Sequence, residues 1–390
     1  MGTLKEWRGF DIASRCAKIE KAINHTPLRN PDDFPIVINA PCYFGFGDKC
    51  RGAGYWHDPA YMVGFQERGF ERHLSEVDDD TVPYFMPWFG TGVLASAFGC
   101  GYREAAGDGD DPAVTSGCIE TVHDIAKLKL PDPYKDGWMP RVLKFIDYAA
   151  EHSDLPVGLT DMNSPLCTSA QMAGYENLFC WMYEEPNAVH ELIAIVCEAF
   201  TNWVKVQKKH TGEPPDQGNG LQGVWAPKGM GVWMSDDDNV SISGELFAEF
   251  VAPAYKRVFA EFGAGSDHFC GNGYQHADTF LAMGNVCVVN NSIMGNMDKF
   301  GVMARKLHGR VALQIQALAE HMQPPGARAH IRDIFSQVDD LAGIMIATFV
   351  QEDSVPGPHG PELPKDSLSL KTARDMVKII REEVAAKERF

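Results

Sequence analysis

The stretch Ser266-Asp267-His268-Phe269-Cys270-Gly271-Asn272-Gly273 sets an imidazole and a thiol two positions apart. On an extended strand, positions i and i+2 share a face. His268 and Cys270 would therefore offer a nitrogen and a sulfur donor to one metal ion. That pair suits zinc, which takes four N, S or O ligands in a tetrahedron and, at catalytic sites, three from the protein. A third donor is needed. The last of the ten cysteines is Cys287, so a later ligand must be a carboxylate or a histidine. Glu352, at the end of an expected strand, is the leading candidate, with Asp236, Asp267 and His276 in reserve.

Other polar clusters fall in equivalent places. Short apolar runs end in Asp161 and Asn163, in Ser235, Asp236 and Asp237, in Asn290 and Asn291, in Gln314 and Gln316, and in Glu352 and Asp353. Between these runs lie stretches of helical periodicity, at 59–75, 139–152, 166–183, 187–210, 244–262 and 368–388. From residue 155 onward strands alternate with helices, and the strands are apolar on both faces, as in a buried parallel sheet. The expected fold is α/β, a (β/α)8 TIM barrel with an N-terminal extension. Residues 1–34 would form that helical extension and 35–390 the barrel. In such barrels the C-terminal strand ends carry the site, so the clusters would form one rim. Tyr43, Phe44, Phe46, Tyr84, Phe85, Trp88 and Phe89 could line a pocket for a flat or apolar ligand.

Whole-chain properties exclude several classes. The net charge of −18 repels nucleic-acid phosphates and anionic membranes. No run of about 18 apolar residues suggests a membrane span. Met1 to Arg8 lacks the apolar core of a signal peptide, which gives an expectation of a cytoplasmic protein. There is no P-loop, and Gly90-Thr91-Gly92 lacks the context of a dinucleotide fingerprint. The cysteines form no CxxC and no dense framework.

Four segments, Leu155-Pro156-Val157-Gly158-Leu159-Thr160, Glu185-Pro186-Asn187-Ala188-Val189-His190, Phe247-Ala248-Glu249-Phe250-Val251-Ala252-Pro253 and His268-Phe269-Cys270-Gly271, resemble the uroporphyrinogen decarboxylase superfamily and its cobalamin-linked methyltransferase branch. The resemblance runs over about 35–385 and implies a TIM barrel. Departures narrow it. The decarboxylases carry an arginine-rich segment after the first strand, where this chain reads Asn39 to Gly47 without arginine. They carry an aspartate at the next strand end, where this chain reads Tyr84-Phe85-Met86-Pro87-Trp88. The methyltransferase branch binds zinc through His-x-Cys and a late Cys near a proline. His268 and Cys270 match, and Glu352 stands at the late position, ahead of Pro356. An oxygen donor there leaves a harder Lewis acid, suited to an ether oxygen.

The resemblance therefore implies a component of a bacterial O-demethylase. It would move a methyl group from a methoxylated, aromatic substrate to cobalt(I) of a corrinoid (cobalamin) carried by a partner protein. Zinc on His268, Cys270 and Glu352 would assist. Asp236 or Asp161 would orient or protonate the leaving oxygen, and Tyr43, Phe44, Phe46, Trp88, Asn163, Asn291 and Gln316 would contact the substrate. Nucleic acid and membrane are not expected as partners, and a homodimer is left open. The alternatives are a decarboxylase of another small acid and a non-catalytic corrinoid- or ligand-binding protein.

Overall fold

The computed structural model describes residues 5–39, 54–105, 110–221, 224–293, 296–316, 326–350, 353, 355–357 and 360–388. Its main sheet has six parallel strands: β1 (Ile36–Asn39), β2 (Val232–Ser235), β3 (Gly265–Cys270), β4 (Val286–Ser292), β5 (Ala312–Gln316) and β6 (Ile344–Phe349). They lie in the order β1-β6-β5-β4-β3-β2. Two further segments complete the ring. Asn163 bridges Ser235 of β2, and Val157 bridges Phe85, both in parallel sense. The backbone N–H of Asp80 then reaches Ile36 O of β1 at 2.6 Å. The expected eight-position barrel is thus present, with six positions as regular strands and two as single bridges.

The strands are buried on both faces, because the lumen packs on one side and helices on the other. Helices Ile12–Ile23, Pro59–Glu76, Met139–His152, Pro186–Thr211 and Leu368–Glu388 stand within a residue or two of the periodicity. The expected helix 166–183 is two helices, Pro165–Ala173 and Tyr175–Glu184. Gly174 between them has φ +83°, which a continuous helix does not allow.

The N-terminal helix lies across the end of the barrel where the strands begin. Trp7 Nε1 donates to Asp154 Oδ1 at 2.8 Å, Lys18 pairs with Asp80 at 2.7 Å, and His25 packs against Gly343 just before β6. Arg15 donates to Asp79 O and sits 3.5 Å from its carboxylate. That end is closed, so the opposite rim is left for a ligand.

Candidate metal centre and barrel lumen

β3 is set rigidly. Gly265 begins it under the Phe259 ring, where a Cβ would lie 2.2 Å from a ring carbon. Gly271 ends it with φ +101°, and its N–H donates to Ser292 O at 2.8 Å. Between them His268 and Cys270 share a face, with Cys270 Sγ 3.6 Å from His268 Nε2. Among the described residues, the third donor is Asp237. A 3-10 turn after β2, Asp237–Ser241, folds it back over the strand end. Its Oδ1 accepts the Cys270 N–H at 2.7 Å and lies 3.7 Å from His268 Nε2. The ligand atoms of the three residues all lie within 4.8 Å of one another.

Donors on one tetrahedral ion of this size sit roughly 3.5 Å apart, which the separations from Nε2 match. The ring orientation matches too. His268 Nδ1 donates to Asn290 Oδ1 on β4, so the Nε2 lone pair faces the thiol and the carboxylate. Burial lowers the His268 pKa, against the opposing pull of Asp237 and Asn290, which keeps the imidazole neutral and ready to ligate. Burial, reinforced by Asp237, pushes the Cys270 thiol up to about 12 in the metal-free protein. A divalent cation would reverse that preference. These residues fit zinc.

Strand register extends the site inward. Ser235, His268, Asn290 and Gln314 are successive register partners across β2 to β5, and Asn163 joins Ser235. Register partners on parallel strands point the same way, so these five uncharged polar side chains form one row facing the lumen, each less than a tenth exposed. Ser292 is the partner of Cys270, and Gln316 of Ser292, in the next row toward the rim. Trp233 lies two residues back from Ser235 on the same face. Asp161 lies two residues back from Asn163, with its Oδ2 3.5 Å from Ser235 Oγ. Asp161 Oδ1, Asn163 Nδ2, Trp233 Nε1 and Asn290 Nδ2 are buried without a hydrogen-bond partner. Burial first, then the charges of Asp237 and Asp111, push the Asp161 carboxyl up to about 8. Trp88 Nε1 donates to Asp111 Oδ1 at 2.8 Å, which ties an expected aromatic contact to the surroundings of Asp161.

Other expected residues are placed elsewhere. Asp236 faces the helix layer: its carboxylate accepts from Ser164, from Tyr255 OH at 2.9 Å and from Asn239 Nδ2 at 3.3 Å. Burial raises it to about 7 against those bonds. Asn291 also turns away from the lumen, its Nδ2 donating to Phe269 O and Gly271 O. Asp267 is on the opposite face of β3 from His268, and His276 Nε2 donates to Asn239 O at 2.8 Å. Glu352, Tyr43, Phe44 and Phe46 lie outside the described residues. Asp237 and Asn290 are members of the metal cluster and its support to which the sequence assigned no role. Each adjoins a residue that was assigned one.

A family model for uroporphyrinogen decarboxylase (URO-D) matches residues 79–213. No curated protein sequence matches the chain significantly. Among solved structures, a methyltransferase from Methanosarcina mazei aligns over 94% of this chain and 98% of its own, with a TM-score of 0.63 and 15% identity, a likeness of fold. An intracellular xylanase from Thermoanaerobacterium saccharolyticum JW/SL-YS485 aligns over 62% of this chain and 81% of its own at a TM-score of 0.34 and 14% identity, too low to bear on the fold. The matched segment supplies the second and third positions of the ring, including Asp161 and Asn163, and the rest of the barrel continues the same architecture. Residues 79–213 thus resemble the uroporphyrinogen decarboxylase family, and nearly the whole chain shares its fold with the Methanosarcina mazei methyltransferase.

Proposed function

We propose that this protein is a methyltransferase that takes a methyl group from a methoxylated aromatic compound and delivers it to cobalt(I) of a corrinoid on a partner protein. The observation that carries the reading is the cluster of Asp237, His268 and Cys270 at the rim of a URO-D-like barrel, with the imidazole lone pair turned toward the other two donors. The likeness of fold to the Methanosarcina mazei methyltransferase supports methyl transfer as the reaction class.

His268 and Cys270 would hold a zinc ion, with Asp237 as the carboxylate that the described residues supply. Bound there, zinc provides a Lewis acid for an ether oxygen. The residues of the chain do the rest. The lumen holds the ring of the substrate so that its methyl group faces the incoming cobalt(I). The C–O bond breaks as the Co–C bond forms, and the electron pair stays on the aryl oxygen. The Asp161 carboxyl, protonated near neutrality, gives that oxygen a proton. Asp236 acts from behind: its backbone N–H donates to His268 O at 2.6 Å, and its carboxylate ties the β2 end to Ser164 and Tyr255.

The test is anaerobic incubation with a panel of methoxybenzenes and cob(I)alamin, followed by absorbance and by mass spectrometry of the phenol. Methylcobalamin and phenol formed in equal amounts are expected, and both should be lost with His268→Ala. Turnover that persists in metal-free protein and in His268→Ala would sink the metal-assisted mechanism. The family match alone also favours decarboxylation of a small acid. Carbon dioxide release without any corrinoid would identify that reading instead.

A further inference from the structure

The lumen has two unlike sides. On one arc the inward positions are Asn163, Ser235, His268, Asn290 and Gln314, all polar and uncharged. On the strands that close the ring, β6 and β1, the register partners Ala347 and Val37 are apolar, as is Met345, the partner of Gln314. All three are buried. Deeper on the polar arc, Trp233 adds an indole N–H and Asp161 a carboxyl held protonated near neutrality. The groups without partners on this arc are mostly donors: the Asn163 and Asn290 amides and the Trp233 N–H. The Asn290 assignment follows from the metal site, since its oxygen is taken by His268. No lysine or arginine occupies a described inward strand position.

A buried donor without a partner costs about 1–3 kcal/mol, so the arc is complementary to acceptors. The deeper part of the arc, around Trp233 and Asp161, has no cation and disfavours a carboxylate, whose burial unpaired is costly. Two residues along a strand span about 6–7 Å, so Trp233 lies roughly one substituted ring below the metal cluster.

We infer that the site selects an uncharged arene with at least two oxygen substituents on one edge: the methoxyl to be cleaved, and a second oxygen read by Asn163 and Trp233. The opposite edge of the ring rests on Met345, Ala347 and Val37. This rests on the methoxyarene reading above and assigns Asn163 and Trp233 as its specificity-determining residues.

Calorimetric binding to the full chain, without any corrinoid, tests it. The ligands are methoxybenzene, 1,2-dimethoxybenzene and 3,4-dimethoxybenzoate. The two-oxygen neutral ligand is expected to bind about tenfold tighter than methoxybenzene, and the benzoate more weakly than its neutral counterpart. Asn163→Leu should cut the first difference to less than about threefold. Trp233→Phe, which keeps the ring and loses only the N–H, provides the same comparison should Asn163→Leu fail to fold. Equal binding of the one- and two-oxygen ligands, tighter binding of the benzoate, or equal weakening of both neutral ligands in the variants would each overturn the inference. Selective binding with no methyl transfer to cob(I)alamin would leave the inference standing and remove the proposed reaction. Failure of every arene to bind removes both.

Discussion

Asn290 determines what His268 can do. By accepting the Nδ1 proton it fixes the tautomer and aims Nε2 at the metal cluster. Loss of such a partner costs about 10–100-fold in metal affinity. Asn290→Ala should show that loss in a competition titration with a chelating dye, while thermal melting of the metal-free protein changes little. In the proposed mechanism Asp161 trades stability for chemistry. Its carboxyl ordinarily titrates near 3.8 and is pushed up to about 8 here. Between those values the folded protein keeps a proton that the unfolded chain releases. Stability of the metal-free protein therefore falls as pH rises from about 4 to about 8, by up to about 1.4 kcal/mol per unit. Asp161→Asn removes that slope. It should melt higher than the parent at pH 7.5 yet lose about 10²–10⁴-fold in methyl transfer. At this scale the sequence was half legible. The spacing of His268 and Cys270 sufficed, because i and i+2 must share a face. The choice between Asp236 and Asp237, or Asn290 and Asn291, was not readable. Strands buried on both faces carry no polar–apolar alternation to show which parity faces the lumen.

The elements that position the site are held by close packing and buried charge. Gly265→Ala would drive a methyl into the Phe259 ring. Overpacking of this kind costs about 1–3 kcal/mol, and the displaced β3 should also weaken metal binding. Urea denaturation and metal titration of the same variant check both effects. At the closed end, the Asp79 carboxylate accepts from Ile38 N–H at 2.8 Å and lies 3.1 Å from His73 Nε2 and 3.5 Å from Arg15. Burial alone would raise this acid, but His73, the Ile38 N–H and Arg15 outweigh it and the carboxyl titrates below its usual range. Asp79→Ala leaves those partners stranded and is expected to cost roughly 3–5 kcal/mol in urea unfolding. Helix periodicity made most of these elements legible, since their buried stripes are long. The antiparallel pair Gly101–Arg103 and Ala113–Ser116 was not legible, because strands this short carry too few residues for any period to show.

For the whole molecule, the metal cluster sits on the rim and the N-terminal helix seals the far end, so the core does not need the ion to form. Chelation should abolish methyl transfer and lower the melting temperature by an amount that grows with the metal concentration used for comparison. The far-ultraviolet circular dichroism at 25 °C should stay unchanged. No helix among the described residues is long and apolar enough to cross a membrane. The barrel was legible from the alternation after residue 155. Its two weakest positions, at Phe85 and at 157–163, were not legible as such. There Pro83, Pro87 and Pro156 remove backbone donors, and only single bridges form.

The junction between β1 and the segment after Asp79 is built differently from the rest of the ring. The Asp79 and Asp80 carboxylates take the amides of Ile38 and Ile36, where a neighbouring strand would otherwise offer carbonyls. A side chain can swing away without moving a strand, so this junction is the ring's clasp. Deuterium should enter the Ile36 and Ile38 amides before it enters those shared by β3 and β4. Acid strong enough to protonate Asp79 should release this one junction while the opposite wall is still intact.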